Sequence, residues 1–289
     1  MKDFSTWEVY EGIAEGSGRS EKIWLQNPQT GKLGLFKFKK DSYTTDHISE
    51  CIAYKIAELL AIPCARFELG KYNGREGSIS YNIVEEGQIL VEGINYINLV
   101  YPYYDPEKCI DIESGDVYSL EMIEKSVRGI VDFSEFLKIP IFDFLIGNTD
   151  RHQSNWAIIQ SNRYKKIAPL YDNSSSLCAY ISDDKLKEYL GKDMVRWKSL
   201  VDTKSKSMIR RLSSEKRRPT HLEVVRYLRE NYYEETVDFV NKISLLMTDD
   251  NITGILNEYI NEGLSDIRKQ VLKRFLMDKT SIIEELYFK

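Results

Sequence analysis

Leu145-Ile146-Gly147-Asn148-Thr149-Asp150-Arg151-His152-Gln153-Ser154-Asn155, followed a short way on by Ala168-Pro169-Leu170-Tyr171-Asp172-Asn173, is the stretch on which the reading turns. Asp150 and Asn155 stand at the spacing by which phosphoryl-transfer loops place a proton-accepting carboxylate and a metal ligand. Asp172 supplies a second oxygen ligand. Mg²⁺ takes hard oxygen donors, typically one or two from the protein and the rest from phosphates and water, so an Asn and an Asp on neighbouring loops suit it. Asp150 is then the separate carboxylate that orients a substrate hydroxyl and accepts its proton. Alone the spacing is a weak pattern, and its weight comes from the rest of the chain.

Upstream, residues 7–13 and 22–26 read as strands around Glu15-Gly16-Ser17-Gly18-Arg19-Ser20. Small residues there let backbone N–H groups approach an anion, which makes Gly16, Ser17 and Gly18 candidates for a phosphate cradle; a flexible hairpin turn is the plainer alternative. A third strand, residues 33–39, carries Lys37, placed where an ammonium can reach nucleotide phosphates, although strand lysines are more often solvated. A helix is predicted over residues 47–60, stopped by Pro63, with Glu50 in its first turns as partner for Lys37 or as a surface acid favoured by the helix dipole. Two strands, 65–72 and 78–84, flank an Asn73-Gly74 turn, and Glu85-Glu86-Gly87 follows as a hinge, with Glu85 beside the base if a nucleotide sits between the two halves.

Residues 88–118 are tyrosine-rich and read as irregular. One helix is expected over 120–137, a second opened by Pro140 and closed by Gly147, then a hairpin over 156–168. A polar segment to about 215 and a basic run, Arg210-Arg211 with Lys216-Arg217-Arg218, precede a helical tail that starts at the capping-box sequence Thr220-His221-Leu222-Glu223. The basic run reads first as solvated and second as a grip for an acidic or nucleic-acid partner.

The 289 residues carry 42% hydrophobic and 29% charged side chains with a formal charge of −5, which argues against a protein built to bind nucleic acid through global basicity. Four scattered cysteines suggest neither a zinc site nor a disulfide framework, and no long apolar run suggests a membrane segment. A cytoplasmic protein is expected, with a protein substrate and without direct binding to nucleic acid or membrane.

Taken together, these residues resemble the HipA-like serine/threonine kinases, the toxin kinases of bacterial toxin–antitoxin systems. The likeness spans roughly residues 15–180 and is carried by Phe144 to Asn155 and by Leu170-Tyr171-Asp172-Asn173. It implies ATP and Mg²⁺ as cofactors, Asp150 as catalytic base, Asn155 and Asp172 as metal ligands, Lys37 on the ATP phosphates and Glu50 at the family's helical glutamate. It also implies a compact member without the N-terminal subdomain of the larger HipA toxins, a small antitoxin-like protein as a candidate partner, and self-phosphorylation on Ser17 or Ser20. His152 either stabilises charge at the transferred phosphate or hydrogen-bonds the loop in place. Asp150-Arg151-His152-Gln153-Ser154-Asn155 also spells the loop of phosphatidylinositol-kinase-like enzymes, so a lipid or small-molecule acceptor is a second reading; a silent pseudokinase acting as a binding module is a third. The expected fold is α+β and two-lobed like a protein kinase, with a small antiparallel β-rich N-lobe with one helix (residues 1–86) and a larger, mostly helical C-lobe (residues 87–289).

Overall fold

Residues 33–38 read Leu-Gly-Leu-Phe-Lys-Phe, and strand alternation sends Phe36 and Phe38 to one face and Lys37 to the other. That division organises the first half of the fold. A computed structural model describes residues 1–12 and 21–289; the expected glycine-loop residues Gly16, Ser17, Gly18 and Ser20 lie outside the described residues. Strands β1 (Lys2–Asp3), β2 (Glu8–Val9), β3 (Lys22–Gln26) and β4 (Leu33–Phe38) precede helix α1 (Asp46–Leu59), and β5 (Phe67–Tyr72) and β6 (Arg75–Tyr81) follow it. They form one sheet in the order β1-β5-β6-β4-β3-β2, antiparallel except where β1 joins β5. On one face Phe36 and Phe38 pack with Phe4, Trp7, Leu25 and Ile79. Each fully buried ring contributes about 1.5–3 kcal/mol of transfer free energy. The other face, which bears Lys37 and its cross-strand partner Ser78, is covered by α1.

The second half begins with β7 (Ile89–Glu92), α2 (Gly93–Val100) and the short hairpin β8 (Tyr104–Asp105) and β9 (Ile110–Asp111), so the stretch expected to be irregular is largely ordered. Its order is supplied from far along the chain: β7 pairs antiparallel with β10 (Ala157–Gln160), which in turn pairs with β11 (Lys165–Ile167). Between them lie α3 (Leu120–Val127) and α4 (Phe133–Ile146). The helix break falls at Gly129 (φ 74°), and α4 is capped by Asp132, whose side chain accepts the Ser134 amide. Pro140 therefore sits inside α4 rather than opening it. A proline there removes one intrahelical bond, a cost offset by the burial of Phe136, Leu137, Ile141, Phe142, Leu145 and Ile146 in the main core. The polar segment folds into α5 (Asp183–Tyr189) and α6 (Met194–Lys198), the latter running into a π-helical turn, Ser199–Thr203.

Helices α7 (His221–Asn231), α8 (Tyr233–Leu246), α9 (Asp249–Asn257) and α10 (Asp266–Phe288) complete the chain. The capping box at Thr220 and Glu223 forms as expected, with both reciprocal bonds present. No helix among the described residues is long and apolar enough to cross a membrane. The architecture is two-lobed and kinase-like, a strand-rich unit with one helix joined to a mostly helical one.

Gly147 ends α4 in the left-handed region (φ 68°), and a Cβ built there would meet the Phe275 ring of α10 at 2.9 Å. Backbone conformation and packing thus both require glycine. Gly147→Ala is expected to lower unfolding free energy by about 1–3 kcal/mol. Urea titration followed by circular dichroism checks this; an unchanged midpoint would show that the α4–α10 contact yields freely.

Candidate active site

An aspartate within the apolar run of α4 determines how the following loop folds. Asp143 is buried, and it is satisfied by Arg151 eight residues on, which donates from Nε to Oδ2 (3.0 Å) and from Nη2 to Oδ1 (2.8 Å). The same guanidinium donates from Nη1 to the carbonyls of Asn155 (2.8 Å) and Tyr171 (2.9 Å), and from Nη2 to Asn173 Oδ1 (2.6 Å). All five N–H groups are used, so one buried side chain fixes the end of α4, the 148–155 loop and the 171–173 strip together. Asn148 adds a bond from Nδ2 to Asp143 Oδ1 (3.0 Å). His221 at the start of α7 meets the Asn148 carbonyl through Nε2 (2.7 Å) and Ser205 Oγ through Nδ1 (2.9 Å). Lys279 of α10 donates to that same Ser205 hydroxyl (3.2 Å).

Within this frame Asn155 donates from Nδ2 to the Asp150 carbonyl (2.7 Å), which orients its amide and leaves Oδ1 as the available acceptor. His152 Nδ1 accepts the Ser154 amide (3.2 Å), a contact that shapes the loop. The Asp150 carboxyl is pushed above the ordinary carboxylate range, first by desolvation and further by the negative charge of Asp172, against the pull of His152 and Arg218. Proton acceptance becomes easier in that direction.

Opposite the loop, Lys37 Nζ lies 3.0 Å from Glu50 Oε1 and 2.9 Å from Asp172 Oδ1. Glu50 is 1% exposed, and its other oxygen accepts from Ser78 Oγ (3.1 Å). Burial pushes the Glu50 carboxyl up and Lys37 holds it back. Burial would likewise raise Asp172, but Lys37 overrides it and holds the group at about 2. Lys37 in turn stays protonated: desolvation would lower it, and the two carboxylates raise it above its usual value. One ammonium between two carboxylates leaves a surplus negative charge. Asp172 itself adopts a left-handed backbone (φ 54°), uncommon for a residue with a side chain and of a kind that concentrates at functional sites.

An ionised carboxylate at Asp172, a free amide oxygen at Asn155 and an uncompensated charge between them form a donor set that fits Mg²⁺, which asks few ligands of a protein. Glu85 stands apart from this cluster, exposed in a turn in which Gln88 donates from Nε2 to its carboxylate (3.0 Å). From sequence alone the contacts of Asp143, Arg151, Asn173 and His221 are not assigned, and Arg218 stands only within the basic run. The one available signal was the aspartate in an apolar helix, since a buried carboxylate demands a cationic partner.

Residues 101–237 match the family described as HipA-like C-terminal domain. The likeness to that family covers 137 of the chain's 289 residues, just under half. Serine/threonine-protein kinase CtkA of Helicobacter pylori is 26% identical over 194 residues, 63% of this chain and 57% of CtkA, so the match spans little more than half of that relative. The solved structure of a Helicobacter pylori proinflammatory kinase CtkA superposes with TM-score 0.82 at 19% identity, covering 99% of this chain and 97% of that one. HipA of Shewanella oneidensis MR-1, solved with HipB and operator DNA, gives TM-score 0.57 at 12% identity over 96% of this chain and 67% of HipA. At these identities the superpositions establish the HipA-like fold.

Removing one partner of a buried ion pair leaves the other charged and unpaired, at a cost of about 3–5 kcal/mol. Arg151→Met is therefore expected to lower thermal stability strongly, and Arg151→Met with Asp143→Leu to recover much of the loss; a double variant no better than the single would show that the carbonyl bonds dominate. Lys279 provides a pH signature. Burial lowers it to about 7, against partial support from Asp202 and Cys178, whereas an unfolded lysine titrates near its ordinary value. Between those values the unfolded chain binds the extra proton, so stability rises with pH across the window. Lys279→Met should accordingly raise the unfolding temperature at pH 6 and less at pH 9.5; equal shifts at both would show that the charge is not the source of the cost.

Proposed function

We propose that the chain is an ATP-dependent serine/threonine protein kinase, holding the nucleotide between residues 1–86 and residues 87–289. The observation that carries the reading is the position of Lys37 Nζ, between Glu50 at 3.0 Å and Asp172 at 2.9 Å, with Asp172 tied through Arg151 to the loop of Asp150 and Asn155. Lys37 grips the phosphates and Glu50 keeps its ammonium aimed. Asn155 and Asp172 would hold Mg²⁺, which when bound would neutralise charge on the phosphate chain. Glu85 lies toward the adenine, and Gly16, Ser17 and Gly18, outside the described residues, are the proposed phosphate contacts. Asp150 receives the proton as the acceptor oxygen attacks the γ-phosphorus and ADP departs; His152 holds the loop that presents it. Catalysis of this kind is positioning and electrostatics rather than covalent chemistry.

The acceptor is a serine or threonine of another protein in the cytoplasm, and Ser17 or Ser20 of the same chain is a second candidate. The Shewanella oneidensis HipA was solved with HipB and operator DNA. That complex supports a toxin–antitoxin setting with a small protein partner, while the formal charge of −5 favours a protein rather than DNA as the direct contact.

Incubation of the protein with γ-labelled ATP, Mg²⁺ and a lysate, with proteins, lipids and nucleic acids resolved separately, tests the reading. Label is expected in protein, reduced about 10²–10⁴-fold by Asp150→Asn, the usual worth of a positioned base. Asp172→Ala is expected to cost about 10²–10³ in rate, as for one preorganised charge-stabilising group. Label confined to lipid, or near-normal transfer by Asp172→Ala, would overturn the acceptor class and the metal assignment respectively. Intact mass of wild type against Asp150→Asn reads self-phosphorylation directly, and equal masses would exclude it.

A further inference from the structure

The basic run between residues 210 and 218 divides into two kinds of arginine. Arg211 donates to Glu215 at 2.5 Å and Arg217 to Glu223 at 2.5 Å, so their charges are spent on surface pairs. Arg210 and Arg218 form no ion pair among the described residues. Their hydrogen bonds go to backbone carbonyls: Arg218 from Nε to Ser207 (3.1 Å) and from Nη2 to Thr149 (3.1 Å) and Lys206 (3.4 Å), Arg210 from Nη1 to Met208 (3.2 Å). Arg210 Nε is buried and finds no partner among the described residues. Carbonyls orient a guanidinium and leave its charge uncompensated.

The two charges are also close enough to oppose each other. Arg218 is lowered from its usual value by desolvation first and by Arg210 next, and both arginines pull on the thiol of Cys109. Two half-buried like charges are unfavourable unless an anion joins them, and paired forks of N–H donors match the oxygens of a carboxylate or phosphate. Their location is specific: Arg218 is bonded to the carbonyl of Thr149, the residue before Asp150, and its charge acts on the Asp150 carboxyl.

We propose that Arg210 and Arg218 form an anion-recognition site for the acceptor protein, receiving an acidic or phosphorylated side chain near the serine or threonine that is presented to Asp150. The inference rests on the kinase reading above and names the substrate class of that same site. Two free guanidiniums suit one anionic side chain; tracking a nucleic-acid backbone takes a longer row of cations, and here the neighbouring arginines are already neutralised.

The full chain with labelled ATP and an array of serine peptides, carrying alanine, glutamate or phosphoserine at successive flanking positions, tests the site. Wild type should label peptides with an anion at one flanking position about tenfold faster than the alanine peptide, the worth of one charge-assisted contact, and the glutamate and phosphoserine arms identify the anion. Raising ionic strength should shrink that preference in the wild type, a readout that needs no variant. Arg210→Gln should abolish the preference while leaving the alanine-peptide rate and the KM for ATP unchanged, Arg210→Lys should retain part of it, and Arg211→Gln should retain it fully. Labelling of the alanine peptide without any anionic preference would overturn the site alone, as would a preference that survives Arg210→Gln or a loss that appears in the KM for ATP. Inhibition by a short RNA but not by phosphoserine peptide would reassign the arginines to nucleic acid. Absence of transfer to any peptide or lysate protein would sink the kinase reading itself.

Discussion

A carboxylate buried in an apolar helix cannot be left alone, and the helical half of the chain is arranged around the answer to that constraint. Asp143 lies on α4 among phenylalanines and isoleucines, and only a cation with several donors can hold it there at tolerable cost. Arg151 satisfies it with two hydrogen bonds and has three left, which reach Asn155, Tyr171 and Asn173. The loop therefore has its shape before any ligand arrives. Its backbone is held by an arginine it cannot release without exposing a buried charge, which is the kind of preorganisation that phosphoryl transfer requires.

The same economy extends to the strand-rich half. Lys37 is on a strand whose other face is committed to a cluster of aromatic rings, so its side chain has one direction to take. There it meets Glu50 and Asp172, one from α1 and one from the strip beside Arg151. A single ammonium thus joins the strand-rich and helical halves, and the charge it fails to cancel is the charge a divalent cation would bring.

How much of this was legible in the sequence depended on distance along the chain. Asp150 and Asn155 declare themselves within one short loop, and Lys37 and Glu50 through the order of strand and helix, because local periodicity marks those elements. Arg151 and Asp143 are only eight residues apart, yet their pairing requires α4 to end and the chain to fold back, and no periodicity announces that. The helix break was misplaced because Pro140 weighed more than Gly129 followed by Asp132, although a left-handed glycine and a capping aspartate are the physical stop and start. Strand β7 was missed because its partner β10 lies far downstream, and pairing rather than propensity makes it a strand. In the basic run the neutralised members had visible partners, Glu215 four residues after Arg211 and Glu223 six after Arg217, whereas the proximity of Arg218 to Asp150 and of Arg210 to Arg218 is a property of the folded chain alone.

The polar segment after Asn173 is held as firmly as the 148–155 loop. Arg268 of α10 is buried and donates to Asp183 Oδ1 and to the carbonyls of Cys178 and Ile181, while Trp197 donates from Nε1 to Asp278 Oδ2 (2.5 Å). The segment is thereby fastened to the last helix by the same device that fastens the catalytic loop, a buried arginine whose donors are shared among carbonyls and one carboxylate. Freeing it would strand that charge, which costs several kcal/mol. A surface so held is poorly suited to rearrange around each partner and well suited to select by fixed shape and charge. Under the proposed reading the frame around Asp150 is set by Asp143 and Arg151 in the core, anion selection by which arginines lack a carboxylate within reach, and Arg218 is the group that touches both.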